Sequence, residues 1–343
     1  MEKLLPLAVL MSAAALLSCA GIPPSFAAPT WVLRTETDYP RAKYIAQTGR
    51  GADRQKAELA ALSRIAYFML SEISTRQGMR SIWAAGADGQ TAAKTETEEA
   101  ISVESQVRLT AVRYAEEPYF DKGTKEYVSL AYIDRDEGWQ SYERNAQNQI
   151  GAFLELVRAA EANSDPMGRA LRFGAADRFS KGDVFTGVWD FALVLNPAKA
   201  AAAYLETGNA IAALPEKIYT ARQKASVFID CSADYNGYLY QAAVSAFGNA
   251  GFPVEARRDR AAAVCVIRVD EGFQQMDSGV LYYPSLSVNL SGKTASLFSF
   301  NISVPRQAAI TADAGRRRSY DALAKMLVEK FPLEITKNPS MEK

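Results

Sequence analysis

The strongest constraint on the fold is a pair of alternating segments near the carboxyl end of this 343-residue chain. Apolar residues occupy every second position on both sides of the turn Ser291-Gly292. They are Leu286, Val288 and Leu290 before the turn, and Phe298, Phe300, Ile302 and Val304 after it. A period of two predicts strands with one buried face, and the short connection predicts a long antiparallel hairpin. That face needs a cover, and a final helix with apolar residues at helical spacing can provide it. These residues are Tyr320, Leu323, Leu327 and Phe331.

The residues before the hairpin complete a domain that mixes strands and helices. Val227-Phe228-Ile229 and the segment Ala263 to Val269 are apolar runs of strand length. Between them, a helix with its apolar face at Leu239 to Ala250 ends at Gly251-Phe252-Pro253, a glycine stop followed by proline. The sequence therefore predicts an α/β domain over residues 225–332, followed by a tail over 333–343.

A second sheet-and-helix domain is predicted over residues 30–135. A short strand at Tyr44-Ile45-Ala46 leads to a turn at Thr48-Gly49-Arg50-Gly51, and Asp53 caps a helix that runs to about Ser74. After a polar loop, residues 101–111 alternate as a strand with one wet face. A further strand, from about Lys125 to Ile133, should pair with it.

The middle of the chain, residues 136–224, is predicted to be helical. One long amphipathic helix carries Trp139 to Val157, and Ser164-Asp165-Pro166 closes it and starts the next. Three more helices are predicted from the spacing and the breakers. They are Met167 to Ser180, Asp183 to Leu195 and Ala198 to Leu214. The aromatic residues Phe185, Trp189 and Phe191 are predicted to lie in the core. The fold class predicted from these patterns is α/β (α+β), with two small sheet-and-helix domains joined by a helical region.

The amino terminus reads as an export signal over residues 1–19. Lys3 precedes an apolar run too short to span a bilayer, and the run ends in Leu16-Leu17-Ser18-Cys19. This tetrad resembles the lipobox of bacterial lipoproteins, which implies a mature chain that begins at a lipidated Cys19 and carries acyl chains such as palmitate. Residues 20–29 would then form a tether. Two alternatives are ordinary cleavage after Ala27, following Ser25-Phe26-Ala27, and an uncleaved anchor or core helix.

Composition supports a globular domain without a polyanionic partner. The chain has 39 basic and 39 acidic residues, and removing the signal takes one of each, which leaves 38 of both. A chain without net charge has no bulk electrostatic attraction to nucleic acid. No later segment has the roughly 18 uninterrupted apolar residues of a membrane span. Membrane attachment is therefore predicted through lipid on Cys19, and neither Ala20 nor Gly21 is the acidic residue that commonly retains lipoproteins in the inner membrane.

The chain contains no histidine, which removes the usual general base and the commonest metal ligand. Sites that use carboxylate pairs, lysine bases or calcium bound by oxygen ligands remain possible. Loop acids Glu96, Glu98 and Glu99 are candidates for a cation site or an acid and base pair, or they belong to a solvated loop. The sequence predicts no catalytic residue, no cofactor and no resident metal.

Four other features have both a functional and an ordinary interpretation. The glycine turn could hold a phosphate or simply link a strand to a helix. The turn Asp234-Tyr235-Asn236-Gly237-Tyr238 follows a strand, where α/β folds often bind ligands, and it also serves as a connection. Arg316-Arg317-Arg318 could contact anions or start a solvated helix. Cys231 and Cys265 could form a disulfide or remain buried thiols.

The first domain resembles a known family in a series of ordered landmarks. They are Pro29-Thr30-Trp31-Val32, Tyr39-Pro40, Tyr44-Ile45-Ala46, Gly49-Arg50-Gly51, and a helix rich in alanine at Ala57, Ala60, Ala61 and Ala66. Over residues 29–135 they resemble the Lpp-twenty lipoprotein family, whose domain also occurs at the amino end of the flagellar T-ring assembly protein. Gln47 stands where that family usually has a glycine. The last domain is similar in pattern to the amino-terminal domain of the Tol translocation protein.

These observations predict a lipid-anchored cell-envelope lipoprotein with a non-catalytic binding or scaffolding role. The resemblance implies a part in envelope or flagellar assembly for some members of the family, and it does not transfer a specific partner. We also predict an envelope protein partner of unknown identity and a location in the outer membrane, facing the periplasm. Two alternatives are a carboxylate-dependent hydrolase of cell-wall polymer, and a soluble periplasmic ligand-binding protein.

Overall fold

The computed structural model describes residues 28–84, 112–115, 117–293 and 295–336. The fold is α+β, with helices and two separate sheets. The described residues divide into two compact units. The first contains the residues up to Glu143 together with Val194–Pro197, and the second contains Arg144–Leu193 and the residues from Ala198 onward.

The first unit is built on an antiparallel sheet with the central strand β4. Two short helices, α1 (Thr30–Leu33) and α2 (Thr35–Asp38), precede the sheet. The strands are β1 (Tyr44–Gly51), β2 (Val112–Tyr114), β3 (Tyr119–Asp121) and β4 (Glu126–Asp134). β1 pairs with one side of β4, and β2 and β3 pair with the other. The strand predicted over 101–111 lies outside the described residues, whereas the one predicted from Lys125 is confirmed as β4.

One long helix, α3 (Arg54–Ala84), packs on this sheet. Asp53 caps it as predicted, because its Oδ1 accepts from the Lys56 amide at 2.8 Å. The predicted apolar face is also confirmed, since Leu62, Ala66, Met69 and Ile73 are all buried. The helix runs past the predicted end at Ser74, and the sequence from there to Ala84 contains no proline to stop it.

The prediction of a glycine turn at Thr48-Gly49-Arg50-Gly51 is wrong, because these residues belong to β1. The glycines are needed for close packing of α3 on the strand. A Cβ atom on Gly49 would lie 2.1 Å from the Ala61 nitrogen, and one on Gly51 would lie 2.5 Å from the Ala57 nitrogen. Small residues on both elements therefore let the helix backbone approach the strand backbone directly.

The middle of the chain is helical, as predicted. The helices are α4 (Arg135–Ala162), α5 (Pro166–Lys181), α6 (Asp183–Leu195), α7 (Pro197–Ala203) and α8 (Leu205–Lys224). Asp165 caps α5 by accepting from the Met167 amide, with Pro166 at the first helical position. Phe185 and Phe191 are buried core residues, as predicted, whereas Trp189 is only partly buried. The Phe185 ring lies 5.7 Å from that of Phe153.

The helix predicted from Ala198 to Leu214 begins within one residue of the predicted start, but the prediction is wrong in its middle and at its carboxyl end. It is interrupted at Tyr204, which the sequence does not mark with glycine or proline, and it continues beyond Pro215 to Lys224. The proline removes one backbone hydrogen bond from α8. Leu214 and Ala221, on either side of it, are both buried, so packing of the helix offsets that loss.

The second sheet has the strand order β5-β6-β7-β8, with β9 also paired to β7. The strands are β5 (Val227–Asp230), β6 (Ala263–Met276), β7 (Gly279–Ser291), β8 (Ser296–Ser303) and β9 (Gln307–Ala309). β5 runs parallel to β6, and the other pairs are antiparallel. The predicted hairpin is confirmed as β7 and β8, with Leu286 opposite Ile302 and Leu290 opposite Phe298.

Pro284 lies in the interior of β7, where a proline usually disrupts a sheet. Its carbonyl accepts from the Val304 amide at 3.4 Å, so the backbone of Pro284 faces the β8 side. β8 ends at Ser303 and β9 begins at Gln307, so the proline nitrogen, which has no hydrogen to donate, faces the break between them. Pro284, which cannot donate a backbone hydrogen bond, thus lies where the pairing of β7 with β8 and β9 is interrupted.

Two helices, α9 (Tyr238–Asn249) and α10 (Ala312–Thr336), pack against this sheet. The predicted buried face of α10 is confirmed, since Tyr320, Leu323, Leu327 and Phe331 are at most 1% exposed. The predicted glycine stop is confirmed as well. Gly251 has φ +78°, its amide donates to Gly248, and the Phe252 amide donates to Phe247.

Candidate functional site

Several predicted site residues lie outside the described residues. Cys19, the predicted lipid-attachment site, is in the segment 1–27, together with the alternative cleavage site after Ala27. Glu96, Glu98 and Glu99 are in the segment 85–111. The predictions made for Cys19, for the alternative cleavage site and for the three glutamates therefore remain predictions.

The first unit contains a groove of about 540 Å³ beside its amino-terminal segment. Leu33, Arg34 and Thr35 line one side, and residues of β1 from Tyr44 to Thr48 line another. Three arginines and one glutamate contribute to its walls, namely Arg34, Arg41, Arg135 and Glu36. Glu36 forms an exposed ion pair with Arg41 at 2.7 Å. The lining therefore carries more positive than negative charge, alongside the aromatic rings of Tyr39, Tyr44 and Phe68.

Arg135, at the start of α4, connects three backbone carbonyls beside the groove. Its guanidinium donates to the carbonyl oxygens of Arg41, Val194 and Leu195, at 3.0, 2.5 and 2.8 Å. Burial lowers the pKa of Arg135, and the charge of Glu72 partly restores it. Arginine keeps its charge under such a shift, so the three carbonyls stabilise a half-buried cation. The residue is structural, and its importance could not be read from its position in the sequence.

The turn from Asp234 to Tyr238 connects β5 to α9. Asp234 accepts from the amides of Leu239 and Tyr240, at 3.1 and 2.8 Å, and so caps α9. Asn236 and Gly237 have φ +52° and +75°, which gives the chain its sharp change of direction.

Beside this turn lies a polar cluster that the sequence patterns did not reveal. The hydroxyl of Tyr320 lies 2.5 Å from Glu271 Oε1 and 3.0 Å from the carbonyl of Ala233. Arg316 donates to the same Glu271 oxygen from Nε at 2.9 Å and from Nη2 at 2.7 Å. Burial and the contact with Glu271 raise the pKa of Tyr320. The phenol therefore stays protonated and ties α10 to β6.

The run Arg316-Arg317-Arg318 lies in the first part of α10, as one of its predicted interpretations required. Arg316 binds Glu271, its guanidinium lies 5.0 Å from the Tyr235 ring centre, and Arg318 donates to the carbonyl of Ala308. Two of the three arginines are thus used within the fold. The sequence analysis marked Arg316 as a candidate for anion contacts and Tyr320 as a buried residue of α10, but no pattern joined either residue to Glu271.

Cys231 and Cys265 are both free thiols. Burial raises the pKa of each to about 12, and neighbouring negative charge adds to the effect. A thiol with such a pKa is almost entirely protonated at neutral pH, so it is a poor nucleophile and a poor metal ligand. Within the described part of the chain, no cluster of acidic or cysteine side chains could hold a metal ion.

The second unit has a groove of about 500 Å³ among α4, α5 and α8. Phe173 and Ala221 lie in its wall, and Lys217 binds Glu161 at 2.5 Å. Arg169 also lines it and donates to the carbonyl of Asn163. Apolar side chains and charges of both signs thus line the groove together. Among the described helices, none is long and apolar enough to cross a membrane.

No family model matches the chain, and no curated protein matches it. Solved structures that match include a minor lipoprotein from Acinetobacter baumannii, at 13% identity over 32% of this chain and 94% of the other, with TM-score 0.25. Lipoprotein GNA1162 from Neisseria meningitidis matches at 18% identity over 33% and 99%, with TM-score 0.23. The secreted protein HP1454 from Helicobacter pylori matches at 12% identity over 85% and 97%, with TM-score 0.33. At these TM-scores the similarities carry no argument about this chain, so membership of the Lpp-twenty family stays a prediction.

Proposed function

We propose that the chain is a lipoprotein of the bacterial cell envelope, anchored by lipid on Cys19, which binds or scaffolds a partner and catalyses no reaction. The observation that carries the proposal is the tetrad Leu16-Leu17-Ser18-Cys19 after a short apolar run. Several acyl chains on one cysteine hold a protein to a membrane, whereas a single chain holds it weakly.

The first unit supports a binding role near the membrane. Only ten residues, 20–29, separate Cys19 from Thr30 at the start of α1. Ten residues reach at most about 35 Å when fully extended. The groove beside α1 and α2 would therefore remain close to the bilayer. Because the sequence has no acidic residue directly after Cys19, we place the anchor in the outer membrane, facing the periplasm.

The chemistry available in the chain supports binding over catalysis. The sequence lacks histidine. The two thiols of the second unit have pKa values of about 12, and Tyr320 and Glu271 are engaged with each other and with Arg316. The charged groups described here stabilise the fold, and the grooves of both units remain as surfaces for a partner.

The anchor can be tested by mass spectrometry of the mature amino terminus, with three forms of the full chain expressed in a bacterium that processes lipoproteins. The wild type should begin at an acylated Cys19, incorporate labelled palmitate and enter the detergent phase. Cys19→Ser should lose the label, and the matched control Cys231→Ser, which removes a thiol from the folded part, should keep it. A mature chain that begins at an unmodified Ala28 would refute the anchor.

The binding role can be tested by crosslinking in intact cells. Wild-type protein should give a reproducible crosslinked species with another envelope protein. We expect Arg34→Glu, which reverses a charge in the first groove, to weaken this species if that groove contacts the partner. Lys330→Glu, a charge reversal at an exposed position on α10 of the second unit, is the control. Recovery of no envelope partner, under conditions that capture a known envelope complex, would contradict the scaffold role.

A further inference from the structure

Arg135 brings a positive charge without a carboxylate partner into the wall of the first groove. Its Nε and Nη1 atoms donate to three backbone carbonyls, whereas its Nη2 atom has no hydrogen bond to any residue in the described part of the chain. In that part, Glu72 influences the guanidinium by its charge alone, and no carboxylate forms an ion pair with it. Carbonyl dipoles only partly neutralise a cation, so an anion in the groove would gain a charge-assisted hydrogen bond from Nη2.

Arg34 adds a second available cation at the rim of the same groove. It is exposed, and its side chain has no ion pair or hydrogen bond with any other described residue. Arg41 differs, because it pairs with Glu36 at 2.7 Å, and Glu36 is the one acid among the described lining residues. Two guanidinium groups are therefore left without a counter-charge, and their planar forks match the oxygens of a phosphate.

An exposed apolar side chain lies directly beside these cations. Trp31 of α1 is buried against Val128 and Leu130 of β4. Leu33 follows two residues later, about 200° further round the helix. It therefore faces away from the sheet and is 75% exposed. Segments that bind at a membrane surface combine such apolar side chains, which enter the boundary of the acyl chains, with basic residues that contact the headgroups.

The position of α1 in the chain brings this surface to the bilayer. α1 begins at Thr30, and lipid on Cys19 would leave only residues 20–29 between the membrane and the helix. These residues reach at most about 35 Å. Such a tether keeps the groove among a high local concentration of headgroups, so contacts too weak to hold a free protein can still form. A soluble anion would gain nothing from the tether or from Leu33, which favours a lipid surface as the occupant.

We propose that the groove of the first unit binds the phosphate groups of anionic phospholipids in the membrane that carries the anchor. Arg34 and Arg135 contact the phosphate oxygens, and Leu33 lies among the upper parts of the acyl chains. This inference rests on the lipid anchor proposed above and deepens the binding role, because it gives the first unit a lipid surface as its partner. A protein partner would then use another surface, such as the groove of the second unit.

The test uses the full chain, processed and acylated in the bacterium and reconstituted with vesicles, with an environment-sensitive dye on Leu33→Cys. Wild type treated in the same way is the labelling blank. On phosphatidylcholine vesicles in which three lipids in ten are phosphatidylglycerol, the dye should emit at shorter wavelength and be quenched by brominated acyl chains. On phosphatidylcholine alone both effects should be much smaller. Raising NaCl from about 0.1 M to about 1 M should remove them, because the Debye length falls from about 10 Å to about 3 Å.

Charge variants of the labelled chain separate the groove from attachment in general. Arg34→Glu changes the charge by two units and should lower the ratio of buried to exposed dye by roughly tenfold or more on the anionic vesicles. Arg34→Lys keeps the charge and should remain within about threefold of the parent chain. Lys330→Glu, at an exposed position on α10 of the second unit, controls for net charge and should leave the ratio unchanged. Circular dichroism will show that each variant folds.

Flotation of the unlabelled chain with phosphatidylcholine vesicles reports on the anchor separately. A dye that stays in water on both kinds of vesicle overturns the lipid contact, whether or not the chain floats. A chain that does not float with neutral vesicles, yet buries the dye on anionic ones, contradicts the anchor and supports the contact. Equal burial of the dye in Arg34→Glu and in the parent chain also overturns the proposal. Loss of the protein crosslink in that variant would then assign the groove to a protein.

Discussion

The contact of β1 with α3 leads to a quantitative prediction for Gly49→Ala. The added Cβ would lie 2.1 Å from the Ala61 nitrogen and 2.4 Å from the Ala57 oxygen. Both atoms belong to the helix backbone, so no side-chain rotation can relieve the clash. An ordinary contact begins near 3.4 Å, and the difference from 2.1 Å requires the helix to retreat by about 1.3 Å.

Such a retreat weakens the packing of the buried face of α3. Ala57, Ala61, Ile65 and Met69 are each fully buried. A gap of only about 0.5–1 Å already forfeits a quarter to a half of the attraction between packed atoms. Overpacked cores lose about 1–3 kcal/mol when side chains can adjust. Because backbone must move here, we expect Gly49→Ala to lower the free energy of unfolding by about 3 kcal/mol or more.

Urea unfolding followed by circular dichroism and tryptophan fluorescence measures the effect. The matched control is Gly187→Ala in α6, where an added Cβ would meet no atom within 4 Å. Replacing this helical glycine should raise stability by up to about 1 kcal/mol, because alanine favours the helix. A Gly49→Ala protein that unfolds at the same urea concentration as wild type would refute the close approach of α3 to β1.

Three further predictions concern the second unit. Burial raises the pKa of Cys265 to about 12, so the folded thiol keeps its proton while the unfolded one loses it above about pH 8.5. The free energy of unfolding should therefore fall as pH rises from about 8.5 to 12, and more gently in Cys265→Ala, as urea titrations at several pH values will show. Neither Cys231 nor Cys265 should react with a thiol reagent at pH 7 until urea unfolds the chain; prompt reaction of the native protein would contradict their burial. Gly292→Ala should cost about 1 kcal/mol, because the new Cβ lies 2.2 Å from Asp165 Oδ2 and displaces the cap of α5. Asp165→Ala should cost a similar amount, and a double variant whose losses simply add would show that the two residues do not interact.

The parts of the fold with a regular apolar period could be predicted from the sequence. The β7–β8 hairpin, α10 and the glycine stop after α9 all follow local rules of alternation, helical spacing or φ > 0. The full length of β6 could not be predicted from these local rules. Its predicted part, Ala263 to Val269, is mostly apolar, but the strand continues through the mostly polar stretch Asp270 to Met276 because β7 pairs with it there.

The wrong predictions have a common physical cause, which is that tertiary contacts overrode local signals. Gly49 and Gly51 look like turn residues, and only the closeness of α3 explains their place in a strand. Pro215 looks like a helix stop, but burial of Leu214 and Ala221 stabilises α8 on both sides of the proline. The cluster of Glu271, Arg316 and Tyr320 joins residues about 45 to 49 positions apart, which no local pattern encodes.

Pro284 has a consequence for the margin of the second sheet that β8 and β9 form. Its place at the break between β8 and β9 divides that margin into a strand of eight residues and a strand of three, so the margin offers no continuous edge to other chains. The opposite margin, along β6, has no such interruption. A single proline thus limits the length over which another strand could extend the sheet on the side of β8 and β9.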